Sequence, residues 1–409
     1  MEADAREIFL TTMARELHRA GIATDAIEQT LTEVARAIGV DAQIFALPTN
    51  ISISVGPDWN QRTVNMRLEP GRVSLRKIAL LNEIYDALRR GKIDFPHAAE
   101  LVAEVDKRWP GLPAWLQIPA LGLIAVGVAL ILGGGGREIF VSALIGLCTG
   151  ALGAIATKVD IVARLFDVAA AFLATLIVAI FVRVAGPTNV YVSIVAGIVV
   201  LLPGYSLTLA LHELANDFLV AGVARLGKVL SVLLALGVGA FLGLAMFPSL
   251  LSSGNVAPHP VSAMWWIVAS LCLSVGLSID LDARLRDSAW VLGACFMALL
   301  ATHVLSATPA HNVSAFLASF ICGTVANLGA RYLRVPQAIM LVPALLVLVP
   351  GSLSYESVLF AFQENINTAL TLGTNAVFAA IQLVAGLLLS QLLFPASTLR
   401  VRGISGRTR

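Results

Sequence analysis

In residues 1–112, apolar positions recur first at helical spacing and then at alternating spacing. Phe9, Leu10, Met13 and Leu17 share one helical face, and Ile27, Leu31, Val34 and Ile38 share a second, with Thr24 placed to cap the second helix. After Gly39 the period drops to two. Ile51, Ile53 and Val55 alternate with serines, Val64, Met66 and Leu68 alternate with polar residues, and Gly56 to Arg62 joins the two strands. Ser74 opens a further helix through Leu75, Ile78, Leu81, Ile84 and Leu88 that stops at Gly91, and Phe95 to Lys107 supplies one more. The pattern predicts a small α+β domain.

From Pro113 the pattern changes to long apolar runs. They lie near 114–133, 139–156, 168–185, 188–203, 227–248, 263–279, 288–307, 312–330, 336–350 and 372–394. A helix needs about 20 apolar residues to cross about 30 Å of hydrocarbon, so most of these runs reach across, while 188–203 and 336–350 are short. The fold class expected is a polytopic α-helical membrane protein of about ten transmembrane helices behind a soluble domain. The domains expected are 1–112 soluble, 113–250 a first five-helix unit and 251–409 a second with a basic tail.

Composition and charge sharpen this picture. The chain is 57% hydrophobic and only 13% charged, which no fully water-soluble surface allows. The first segment carries Glu2, Asp4, Arg6 and Glu7 where a signal peptide would need an apolar stretch, so the soluble domain is expected in the cytoplasm. Lys158, Arg164, Arg225, Lys228, Arg284, Arg286, Arg331, Arg334 and the tail arginines 400, 402, 407 and 409 then fall on the inside, against Arg137 and Arg183 outside. On that bias the polar stretches 205–226 and 352–371 are not expected to cross fully. A net charge of +2 gives no basic patch for nucleic acid. Cys148, Cys272, Cys295 and Cys322 lie in apolar segments without metal-ligand spacing, and neither a cofactor nor a metal is expected.

Two strings recur in order: FLATLIV from Phe172 with FLASFIC from Phe316, and VLLPG ending at Gly204 with VLVPG ending at Gly351. A five-span unit copied in tandem enters the membrane from opposite sides, giving two inverted repeats of the kind found in secondary transporters. Pro203-Gly204 and Pro350-Gly351 would then break two corresponding helices. Lipid tolerates freed backbone groups only where they face protein or a watery cavity.

Polar residues follow each break. His212, Glu213, Asn216 and Asp217 are spaced to share one helical face, and Glu364, Thr368, Thr371, Asn375 and Gln382 follow helical spacing into the last run. Asp217 and Glu364 stand equally far behind their prolines, as do Asn216 and Gln363. Ionisable groups at membrane depth are costly and usually functional. Asp217, Glu213 and Glu364 are candidates for holding a substrate ammonium or a coupling proton, with His212 as a relay. The same stripes would also suit amphipathic helices lying on the bilayer surface. Lys158, Arg183, Arg225 and Lys228 sit at span ends, so acids and broken helices favour a zwitterion over a dicarboxylate.

The chain resembles the threonine/serine exporter family of bacterial membrane proteins. The resemblance rests on AGIATDAIEQTLTEVARAIGV leading to FALPTNISISV, on LRKIALLNEIYDALRRGKIDFPHA, and on LLPGYSLTLALHELANDFLVAGVARLGK, the most specific string. It implies efflux of threonine and serine from the cytoplasm across a bacterial inner membrane, driven by the proton motive force, and points at Pro203, Gly204, Glu213 and Asp217. Relatives split into two polypeptides are similar in exporting succinate, so dicarboxylate export is one rival reading. A membrane-anchored sensor or scaffold without transport is another. No enzymatic nucleophile and base stand at a recognisable spacing, and His18 and His97 read as ordinary histidines. The expected partners are an amino acid, protons and the lipid bilayer, with room for a homo-oligomer.

Overall fold

A computed structural model describes residues 2–56, 60–69, 71–248, 263–309, 311–333 and 335–395. Residues 249–262, Arg334 and the basic tail from 396 onward therefore lie outside the described residues.

The N-terminal domain takes the order α1 (Glu2–Arg19), α2 (Thr24–Ile38), β1 (Ala42–Leu47), β2 (Asn50–Val55), β3 (Arg62–Arg67), α3 (Leu75–Arg89), α4 (Phe95–Ala103) and α5 (Val105–Arg108). The strands form an antiparallel sheet with β2 in the middle, Ile53 opposite both Ile44 and Val64. The predicted faces meet in one core: Phe9, Leu10, Ile27, Leu31, Val34, Ile51 and Ile53 are fully buried. Ser74 caps α3 by accepting from the Lys77 amide. Strand β1 was not predicted, because its outward Phe45 is apolar yet 52% exposed and blurs the alternation.

The rest is helical: α6 (Gln117–Ile131), α7 (Gly136–Ala156), α8 (Asp160–Arg164), α9 (Phe166–Ala185), α10 (Val190–Ile198), α11 (Gly204–Ala215) and α12 (Leu219–Met246). Then come α13 (Ala263–Asp280), α14 (Leu285–Ser306), α15 (Ser314–Leu328), α16 (Gln337–Leu348), α17 (Gly351–Phe362) and α18 (Ile366–Leu393). Among the described residues, seven helical segments are long and apolar enough to cross a membrane, Gln337–Phe362 counting as one. An eighth is made by Val190–Leu201 and Gly204–Ala215 across a 54° bend, and Gln117–Ile131 and Trp265–Asp280 are shorter apolar helices. Ile180, Val184, Leu230, Leu271, Phe296 and Ile381 point out of these helices, exposed. Such a surface suits a hydrocarbon solvent and no other.

The stretches 205–226 and 352–371 are helical: α11 and α17 follow the short helices before them past each Pro-Gly pair, and α12 and α18 start well before the expected runs at 227 and 372, so those two runs are longer than hydropathy alone suggested.

The N-terminal domain is riveted to the bundle at the turn after α13. Asp282, at a positive φ of 49°, accepts from Arg76 Nε at 2.7 Å, Ser74 Oγ at 2.8 Å and the Leu112 amide at 2.9 Å. The Leu75 amide donates to the Leu281 carbonyl at 2.9 Å, and Arg72 pairs with Asp280 at 2.7 Å. Arg284 and Arg286 both reach Glu83 on α3. The start of α6, the ends of α11 and α13 and the start of α16 thus lie on the side of the N-terminal domain.

Candidate functional site

The two Pro-Gly breaks meet. A Cβ placed on Gly204 would fall 2.8 Å from both the Cα and the amide nitrogen of Gly351, and one on Gly351 would fall 3.2 Å from the Leu202 Cβ and 3.4 Å from the Gly204 Cα. Only residues without a side chain let two backbones come this close. Around the crossing the two halves share their backbone geometry at an offset of 147 residues, the distance from Pro203 to Pro350. Pro203 has φ −81° and ψ 36°, Pro350 φ −82° and ψ 43°. The helices behind them are each 12 residues long, and the helices that follow are each 28. The turn between them holds Asp217 at φ 65° in one half and Glu364 at φ 61° in the other. Farther along, Gly239 packs on the Val168 carbonyl of α9 and Gly386 on the Phe316 carbonyl of α15.

The acidic end of α11 is not a free stripe. Glu213 is 0% exposed and takes both arms of Arg225, Nε to Oε2 at 2.9 Å and NH2 to Oε1 at 2.7 Å. The Thr24 hydroxyl donates to the same Oε1 at 2.5 Å. Thr24 therefore does not cap its own helix; Ala23 holds that position without a side-chain bond, and the hydroxyl ties α2 to α11 instead. Beside it His212 Nδ1 lies 3.1 Å from Asp25 Oδ2, and the Asn216 amide donates to the His212 carbonyl at 3.0 Å. Burial pushes the Asp25 carboxyl up, but the His212 hydrogen bond and charge, with the Ala26 amide, outweigh it and hold the group below its ordinary value. Gly222, three residues before Arg225, lets α12 close on Leu214 and the Ala210 carbonyl.

The expected residues thus divide. Pro203, Gly204, Pro350 and Gly351 come together at the crossing, while His212, Glu213 and Asn216 gather at the end of α11 nearest the N-terminal domain. Asn216 and Gln363 are the C-caps of α11 and α17. Asp217 and Glu364 are exposed in left-handed turns rather than on a shared helical face, because the helices end two residues earlier, at Ala215 and Phe362. Asn375 is exposed on α18. The reading missed Glu356, a half-buried acid on α17 whose carboxylate accepts from the Tyr191 hydroxyl of α10. Its signal was available: it is an acid six residues behind a Pro-Gly break.

Comparison with known proteins now bears on this arrangement. A family model described as "Putative threonine/serine exporter" matches residues 8–247, and one described as "Threonine/Serine exporter, ThrE" matches 262–393. The chain belongs to the threonine/serine exporter family. This is a transporter family and not an enzyme family. Among curated proteins, this exporter-family chain is similar to pheromone-regulated membrane protein 10 of Zygosaccharomyces rouxii, 24% identical over 88% of this chain and 38% of the relative. The Candida albicans protein of that name is 25% identical over 89% and 34%, and that of Saccharomyces cerevisiae 22% over 89% and 48%. The chain spans less than half the length of these relatives. They are fungal membrane proteins, whereas the resemblance read from the sequence was to a bacterial family. No solved structure matches the chain at a significant level.

Proposed function

We propose that this member of the family exports threonine and serine from the cytoplasm by proton antiport, through alternating access around the crossing of two broken spans. The observation that carries the reading is the contact of Gly204 with Gly351 between breaks of the same backbone geometry. Paired interrupted helices at corresponding places are the arrangement that exposes backbone donors and acceptors at the midplane of secondary transporters. On this reading each Pro-Gly-interrupted segment crosses once, and with the two shorter apolar helices the chain crosses ten times as two inverted five-helix units. The soluble domain then lies in the cytoplasm, the side on which Arg225, Arg284, Arg286 and Arg331 gather, as charge bias requires.

A neutral zwitterion suits the site better than a dicarboxylate. Arg225, which reaches α11 of the first broken span, is already neutralised by a bidentate carboxylate, so it offers no open charge to an anionic substrate. Glu213 for the same reason closes the cytoplasmic end of α11 instead of carrying protons. Glu356, half-buried between the crossing and the far side and joined to Tyr191, is assigned the proton.

The test is efflux from proteoliposomes loaded with labelled serine or threonine. An imposed proton gradient should accelerate release, a protonophore should remove the acceleration, and excess succinate should not compete. Succinate competition without threonine competition would overturn the substrate; gradient-independent release would overturn the coupling.

A further inference from the structure

A cavity of about 470 Å3 opens between the soluble domain and the junction of α15 with α16. Its wall is apolar where Leu17, Ile78 and Leu81 line it, and polar where Asn82, Asp86 and Arg331 do. The one acid among these is engaged, since Asp86 takes Arg89 at 3.5 Å and Arg90 at 3.3 Å. Arg331 is exposed, lies 5.7 Å over the Tyr332 ring, and pairs with no carboxylate among the described residues. The Asn82 amide likewise makes no hydrogen bond among the described residues. A hollow of ligand size with an apolar wall, a guanidinium without a counterion and a spare amide is built for an anion carrying a short hydrocarbon body.

We propose that this cavity binds a small aliphatic carboxylate from the soluble-domain side. An occupant would bridge α3 to the first turn of α16. There the Gln337 amide donates to Asn327 at 2.7 Å, and Asn327 donates to the Ser390 carbonyl of α18 at 3.2 Å. Binding would therefore clamp the soluble domain to the second broken span. The inference stands apart from export, because the residues of the crossing do not line the cavity and its ligand need not be transported.

The test is calorimetric titration of the full chain in nanodiscs with butanoate, pentanoate and hexanoate, with empty nanodiscs as the blank. Saturable binding should tighten about three- to fourfold per methylene. It should weaken at least about tenfold in Arg331→Gln, as loss of a charge-assisted bond implies, and stay unchanged in Arg62→Gln, an exposed strand arginine. Hexylamine should not bind. Absence of saturable heat with the folded wild-type chain, equal affinity in Arg331→Gln, or binding of hexylamine as tight as hexanoate would each overturn the proposal.

Discussion

The crossing of the broken spans makes an asymmetric prediction from two chemically identical changes. In Gly204→Ala the new methyl meets main-chain atoms of Gly351 at 2.8 Å, which cannot rotate away. In Gly351→Ala it meets the Leu202 Cβ at 3.2 Å and the Gly204 Cα at 3.4 Å, which a shift of a few tenths of an ångström relieves. Overpacking against fixed backbone costs about 1–3 kcal/mol. Replacing glycine at a helix start returns up to about 0.5–1 kcal/mol by restricting the unfolded chain. The balance is a loss of about 1–2 kcal/mol for Gly204→Ala and a change within about 0.5 kcal/mol for Gly351→Ala. Both are read by SDS-driven unfolding of the detergent-solubilised chain, followed by tryptophan fluorescence, with serine efflux measured in parallel. If the two variants unfolded at the same SDS fraction, or Gly351→Ala were the weaker, the contact described here would be wrong.

Other perturbations probe the remaining links. Arg225→Gln leaves the fully buried Glu213 without its cation and should cost about 3–5 kcal/mol in the same unfolding assay, whereas adding Glu213→Gln should recover most of the loss; a single-variant cost under about 1 kcal/mol would mean a solvated pair. Glu356→Gln should abolish gradient-driven efflux yet keep serine-for-serine exchange, and equal loss of both would remove its assignment to the proton. The Asp25 carboxyl is held below its ordinary value, so its contribution to the docking of α2 on α11 is complete above the ordinary aspartate range and is lost as pH falls through the lowered value. Melting temperature should therefore fall on that acid limb, and Asp25→Asn should flatten it; an unchanged limb would show that the His212 contact does not matter to stability.

Much of the architecture was legible because its physics is local. Helical and alternating periods placed the α1, α2, β2, β3 and α3 faces, and each of the apolar runs falls on a helix of the bundle. The Pro-Gly pairs were legible as breaks, since proline and glycine act on their own backbone. That they touch was not, because a contact across 147 residues leaves no trace in either string. The acidic stripe after the first break read as one helical face, yet the backbone turns left-handed at Asp217, and Glu213 finds its cation one helix later. Thr24 read as a cap for the same reason: its true partner, Glu213, lies in the bundle. Glu356 escaped because it stands alone among Ser354, Tyr355, Ser357 and Val358, without a stripe to draw attention.

The proposed export of threonine and serine runs where two broken spans cross at Gly204 and Gly351. Efflux of labelled threonine from proteoliposomes under an imposed proton gradient, compared between the wild-type chain and Gly204→Leu reconstituted in equal folded amount, tests it most directly. The wild type should release threonine faster under the gradient, and the variant should release it at near-background rate. Undiminished release by Gly204→Leu, or no gradient response in the wild type, would contradict it.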